Sequence, residues 1–119
     1  MRKISFFLTK TQIIQRQKRV TRRTGWDFAI PGMHLQPVEK CQGLKAGEHQ
    51  VLLGCPILLL DVRREPLTRL IDDPGYGAIE AELEGFPGWT GQQFVDFICK
   101  QPGVYPARQL NRLEFDYVG

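Results

Sequence analysis

Eight of the sixteen cationic side chains in this 119-residue chain fall within its first 23 residues, and no acid falls there. Any fold must answer that density, because clustered ammonium and guanidinium groups repel one another and oppose a compact state unless an anion lies beside them. The densest part is Arg16-Gln17-Lys18-Arg19-Val20-Thr21-Arg22-Arg23, four guanidiniums around one lysine and one threonine hydroxyl. Guanidinium forks are weakly hydrated and suit phosphate, which makes nucleic acid the first partner to consider. The acids come late: residues 70 to 99 carry Asp72, Asp73, Glu80, Glu82, Glu84 and Asp96 and no lysine or arginine. If folding joins the two regions, they form a basic groove with carboxylates at its edge.

With 42% apolar residues, the chain is long enough to bury one continuous core without metals or disulfides, and one domain over residues 1–119 is expected. Cys41, Cys55 and Cys99 are widely spaced and form no C-x-x-C pair, so they are expected as buried small hydrophobes in a reducing compartment. His34 and His49 lack companions for a metal site, and neither a metal nor a cofactor is expected. The apolar stretch from Ile4 to Leu8 is too short for a secretion signal. The run from Val51 to Leu60, broken by Gly54 and Pro56, is about half of what a membrane helix needs. A soluble, cytoplasmic protein is the expectation.

Ile4, Phe6 and Leu8 alternate with Ser5, Phe7 and Thr9, which predicts a first strand. Thr11 is placed to cap a short helix from Gln12 to about Lys18, whose basic end runs into a turn at Thr21 to Gly25. After a Pro31-Gly32 turn, Met33 to Lys40 forms a weak strand that Pro37 confines to an edge or a bulge. Val51 to Arg63 is the strongest strand material, bent at Gly54 and Pro56 as in the corners of a small barrel. Pro66 to Glu84 reads as helical pieces broken at Pro74-Gly75. Thr90 and Gln93 form a capping box, with Trp89 placed to staple onto Phe94, and Pro102-Gly103 ends that helix. Leu113, Phe115 and Tyr117 alternate in a closing strand, so the whole reads as α+β.

The arginine cluster is either a phosphate-binding surface or a solvated charged face. Trp26, just beyond it, is placed to stack a base or to pack beside Phe28 and Ile30 in the core. Glu84 precedes Gly85-Phe86-Pro87, which forces a sharp exit from the preceding helix, and Glu80 lies one turn earlier on the same face. A lysine among arginines has its charged form disfavoured and can act as a base near neutrality. A threonine hydroxyl needs such a base to become a nucleophile. Lys18, Thr21 and Glu84 therefore make a possible acyl-transfer set.

The pattern from Lys18 to Arg23, the Pro31-Gly32 turn, Gly43-Leu44-Lys45-Ala46-Gly47-Glu48, Asp61-Val62-Arg63-Arg64-Glu65 and Glu84-Gly85-Phe86-Pro87 together resemble the ASCH domain family of the PUA-like superfamily. The match runs in order over nearly the whole chain. The family signature is G-x-K-x-x-x-x-R, which this chain keeps at Lys18 and Arg23, with Arg16 in the glycine position. The resemblance implies a small PUA-like β-barrel with flanking helices, and binding of single-stranded RNA or a modified nucleoside in the cleft beside the signature. Arg16, Arg19, Arg22, Arg23 and Trp26 are the expected nucleic-acid contacts. One branch of the family resembles amidohydrolases that remove acetyl from N4-acetylcytidine, which implies catalytic roles for Lys18, Thr21 and Glu84. Single-strand ribonuclease activity, or a protein-interaction module without chemistry, are the further alternatives.

Overall fold

The computed structural model describes residues 1–41 and 43–119. The elements are β1 (Arg2–Ser5), a 3-10 turn at Phe7–Thr9, α1 (Lys10–Ile14), β2 (Val20–Arg23), β3 (His34–Val38), β4 (Ile57–Pro66), α2 (Thr68–Asp72), α3 (Pro74–Leu83), α4 (Gly91–Ile98) and β5 (Gln109–Tyr117). The architecture is α+β, built on a five-stranded mixed sheet in the order β1-β3-β4-β5-β2. Among the described residues only the β1–β3 pair is parallel. The long β4–β5 ladder pairs Ile57 with Tyr117 at one end and Pro66 with Gln109 at the other, with a bulge between Leu59 and Asp61.

The sheet is open, not the closed barrel expected from the sequence. β1 and β2 are its edges, and no ladder joins them among the described residues. The helix expected over Gln12 to Lys18 is also different: α1 ends at Ile14, and Arg16 takes a left-handed φ of 59° that no α-helix admits. Thr9, not Thr11, stands at its N-terminus, and Val20 to Arg23 is a strand where a turn was expected to begin. The first strand stops at Ser5 because the chain tightens at Phe7–Thr9. β3 is an inner strand, and Pro37 is tolerated because the β4 ladder covers only His34 and Leu35; Pro37 supplies just its carbonyl, to Leu53 N at 2.9 Å.

Two apolar clusters hold these pieces together. One lies on the sheet and joins Ile4, Phe6, Ile13, Leu35, Ile57, Leu59, Leu113 and Phe115. The other joins Leu67 and Leu110, at the far end of the β4–β5 ladder, with Leu70, Ala81, Phe94 and Val95 of the helices. The capping box is complete, with Gln93 N donating to Thr90 Oγ1 at 3.1 Å and Thr90 N donating to Gln93 Oε1 at 2.9 Å. Trp89 stacks on Phe86 and meets Phe97 edge-on, while Phe86 makes the contact to Phe94. The cysteines are not the buried hydrophobes expected, since Cys41 is exposed and Cys55 and Cys99 are half-buried. No helix among the described residues is long and apolar enough to cross a membrane.

Helices α3 and α4 meet the Leu70 carbonyl of α2 at two glycines, Gly77 and Gly91. A Cβ on Gly91 would lie 2.2 Å from the Leu70 carbonyl oxygen and 2.8 Å from Gly77 Cα, both backbone atoms that cannot swing aside. Gly75, exposed in the first turn of α3, would give a Cβ only an ordinary contact at 3.6 Å. Gly91→Ala is therefore expected to cost about 3 kcal/mol through overpacking. Gly75→Ala is expected to gain about 0.5 to 1 kcal/mol from helix propensity. Urea denaturation of both variants checks the pair, and equal midpoints would contradict this packing.

Candidate functional site

The folded chain answers part of its own basic cluster. Arg22 is buried, and its guanidinium donates through Nη1 to Glu84 Oε2 at 2.9 Å and through Nη2 to both Glu65 Oε1 and Glu80 Oε1. Arg112, directly across the β2–β5 ladder from Arg22, grips Glu80 with Nε at 2.5 Å and Nη2 at 3.0 Å. Lys18 Nζ donates to Glu84 Oε1 and to the Glu84 carbonyl oxygen, each at 2.7 Å. The Tyr76 hydroxyl adds a bond to Glu65 Oε1 at 2.7 Å. Three cations and three carboxylates thus share one interior, all six at most 5% exposed.

That balance sets the protonation states. Burial disfavours the Lys18 ammonium and lowers its pKa below the usual lysine value; Glu84 opposes the shift, while Arg23 and Arg22 add to it. Burial also pulls on Arg22, but Glu84 and Glu80 outweigh it and hold the guanidinium charged. Glu65 and Glu80 lie below the ordinary carboxylate range because hydrogen bonds from Tyr76, Arg22 and Arg112 overcome the cost of burial. Arg23, with no carboxylate in hydrogen-bond contact among the described residues, is pushed by burial down to about 10.

Lys18, Thr21 and Glu84 line one cavity of about 150 Å³. Each arrives by a different route. Lys18 sits in the loop before β2, its carbonyl held by the Tyr117 hydroxyl at 2.6 Å. Thr21 is in β2, opposite Leu113 of β5, and its Oγ1 accepts from Arg23 Nε at 3.0 Å. Glu84 closes α3, where the following Gly85 turns the chain away at a φ of 104°. Phe6, Phe86, Phe94 and Phe97 supply the apolar walls. Across the top, Arg23 Nη2 donates to the Ser5 carbonyl of β1, so one side chain spans the gap between the two edge strands.

The remaining expected contacts divide. Arg22 and Arg23 line both this cavity and a wider groove beside it, and Trp26 lines the groove, tilted against Phe28 at 4.9 Å. Arg16 and Arg19 line neither: both lie over the Tyr117 ring, at 5.7 and 5.4 Å, and Arg19 pairs with Asp116. Glu65 and Arg112 escaped sequence reasoning. No local signal marks them: Glu65 stands between Arg64 and Pro66 in β4, and Arg112 between Asn111 and Leu113 in β5. His34 and His49 are exposed, and among the described residues no group of three or more potential ligands could hold a metal.

The chain matches no protein-family model and no curated protein. Its fold is similar to that of protein EF3133 from Enterococcus faecalis V583, of family DUF984, known from a crystal structure. The TM-score is 0.52 at 16% identity, over 92% of this chain and 69% of that one. At this identity the likeness is one of fold.

Glu65 and Glu80 release protons more readily folded than unfolded. Below the ordinary carboxylate value of about 4.5 the unfolded chain therefore binds protons first, and the stability these groups contribute, complete above that pH, is lost as pH falls through their lowered values. The urea midpoint is expected to hold between pH 7 and 5 and to drop steeply below 4.5. Glu80→Gln, which leaves Arg112 and Arg22 short of a charge, is expected to cost about 3 to 5 kcal/mol at pH 7. A midpoint as high at pH 3 as at pH 7 would contradict this assignment.

Proposed function

We propose that the chain binds a modified nucleoside, free or within RNA, in the aromatic-walled cavity and hydrolyses an acyl amide on its base, with N4-acetylcytidine as the type substrate. The supporting observation is that Lys18, Thr21 and Glu84 line a single small cavity, with Lys18 hydrogen-bonded to Glu84. In this reading the protein is an ASCH-type, PUA-like domain whose barrel is left open between β1 and β2.

Neutral Lys18 takes the proton from Thr21 Oγ1 as that oxygen bonds to the acyl carbon and the carbonyl electron pair moves onto oxygen. Arg23, already donating to Thr21 Oγ1, steadies the developing oxyanion. Collapse breaks the bond from the acyl carbon to N4, and the Lys18 ammonium returns its proton to the departing amine. Water then adds to the threonine ester, with Lys18 again as base, and releases acetate and the intact hydroxyl. Glu84 orients Lys18 throughout. Its attraction for the ammonium offsets part of the burial that lowers the Lys18 pKa. The phenylalanine walls exclude water from the ester and offer faces for base stacking.

Incubation with N4-acetylcytidine is expected to yield cytidine and acetate, separated by chromatography. Thr21→Ala is expected to lower turnover about 1000-fold. Lys18→Arg, which retains a cation for Glu84 but removes the base, should do the same while circular dichroism shows the fold intact. Because burial lowers the Lys18 pKa, kcat/KM is expected to rise with pH and to level off below the ordinary lysine value of 10.5. Wild-type turnover by Thr21→Ala would remove the mechanism.

A further inference from the structure

The cavity does not end at Arg23. Beyond that side chain opens a groove of about 720 Å³, and Ser5, Arg22, Arg23, Ile98 and Gln101 line both spaces. The two spaces adjoin along these five residues. The inner part, at about 150 Å³, falls short of the roughly 300 Å³ at which pockets for whole small molecules begin. A ligand whose base fills it must carry its remaining atoms into the groove.

The groove has one sign of charge. Arg2, Lys3, Arg22, Arg23 and Lys40 line it, and no described lining residue is a carboxylate. Two of these cations are already answered, Arg22 by its three glutamates and Lys40 by Glu48 at 3.5 Å. Arg2, Lys3 and Arg23 have no carboxylate partner among the described residues. Arg2 is held at 4.3 Å over the Phe28 ring, which in turn lies against Trp26. Arg23 spends Nε on Thr21 and Nη2 on Ser5, leaving Nη1 without a partner among the described residues. A guanidinium fixed in this way loses little freedom on meeting an oxyanion.

We infer that this outer groove, through Arg2, Lys3 and Arg23, holds a phosphate ester carried by the ribose of the base in the inner cavity, so that the ligand is a nucleotide unit rather than a free nucleoside. The inference rests on the reading of the inner cavity as a base site. A mononucleotide and a residue within a short single strand present the same phosphate chemistry, and the experiment separates them.

Calorimetric titration compares cytidine, cytidine 5′-monophosphate and a five-nucleotide single-stranded RNA, and amide chemical shifts are followed with inorganic pyrophosphate alone. The monophosphate is expected to bind at least about tenfold tighter than cytidine at low salt, with an advantage that shrinks as salt screens the phosphate from the cations. Lys3→Glu, on an exposed position of β1, is expected to abolish that advantage and leave cytidine binding unchanged. Pyrophosphate is expected to shift the Lys3, Thr24 and Lys40 amides in the wild type and not in the variant. Tighter binding of the pentanucleotide than of the monophosphate assigns the phosphate to a strand, and equal binding assigns it to a mononucleotide; both support the groove. Equal affinity for cytidine and its monophosphate, or no amide shifts with pyrophosphate, overturns the inference even if N4-acetylcytidine is hydrolysed. Pyrophosphate shifts without any cytidine binding would uphold the groove as a phosphate site and discard the base site instead.

Discussion

The interior ion network of Lys18, Arg22 and Arg112 with Glu65, Glu80 and Glu84 is the constraint on which the rest of the structure depends. Burying six charges is costly, and the cost is offset only when every member finds its partners; removing one leaves an uncompensated ion, worth about 3 to 5 kcal/mol. The network therefore acts as a register lock more than as a source of net stability. Arg22 and Arg112 come from paired strands, and Glu80 and Glu84 from successive turns of one helix. A slip of α3 by one residue would offer Ala81 and Gly85, or Ile79 and Leu83, to three buried cations. No such slipped state balances charge, which leaves one docking of helix on sheet.

The same lock builds the candidate site. Glu84 divides its two carboxylate oxygens, one to Arg22 and one to Lys18, so the group that orients the lysine is itself fixed by the core. Gly85 tightens the arrangement further. Its φ of 104° suits glycine, and a Cβ there would fall 2.7 Å from Gln12 Cγ, in the segment that leads to Lys18. Gly85 thus leaves room for the Gln12 side chain, and Arg19 N donates to the Leu83 carbonyl at 2.7 Å, which ties the loop before β2 to the end of α3. Lys18 reaches Glu84 across that contact, buried yet only partly neutralised, which is the condition that lowers an amine toward use as a base.

What the sequence revealed and what it concealed follow from the range of the interactions. The capping box at Thr90 and Gln93, the breaks around α3 and the closing strand rest on neighbours within a few residues, and each is found where expected. The convergence of the early cations with the late acids was also legible, but not its form. Of the late acids, Glu80 and Glu84 lie inside, against Arg22, rather than at the edge of a groove, while Asp72, Asp73, Glu82 and Asp96 are exposed. Which charges pair is decided across separations of 32 to 66 residues, where no local pattern speaks. The strand Val20–Arg23 was hidden for a related reason. Two arginines in four residues read as surface, and their burial is permitted only by glutamates and backbone supplied from elsewhere. The barrel expectation failed at one seam: β1 and β2 share no ladder, and the Arg23 side chain, bonded to the Ser5 carbonyl, stands between them.

That open seam ties the shape of the sheet to its chemistry. Unpaired strand edges invite pairing with other chains, and cations along an edge discourage it. β1 carries Arg2 and Lys3, and β2 carries Arg23, all three without a carboxylate partner among the described residues, whereas Arg22 is buried against its glutamates; the Arg23 side chain bridges the gap to Ser5 in place of a ladder. Had the two strands hydrogen-bonded directly, the gap that Arg23 now spans would be filled by backbone. Left open, it gives Thr21 and Lys18 a cavity to face, and the charges that keep other strands away are the ones that favour an anion entering.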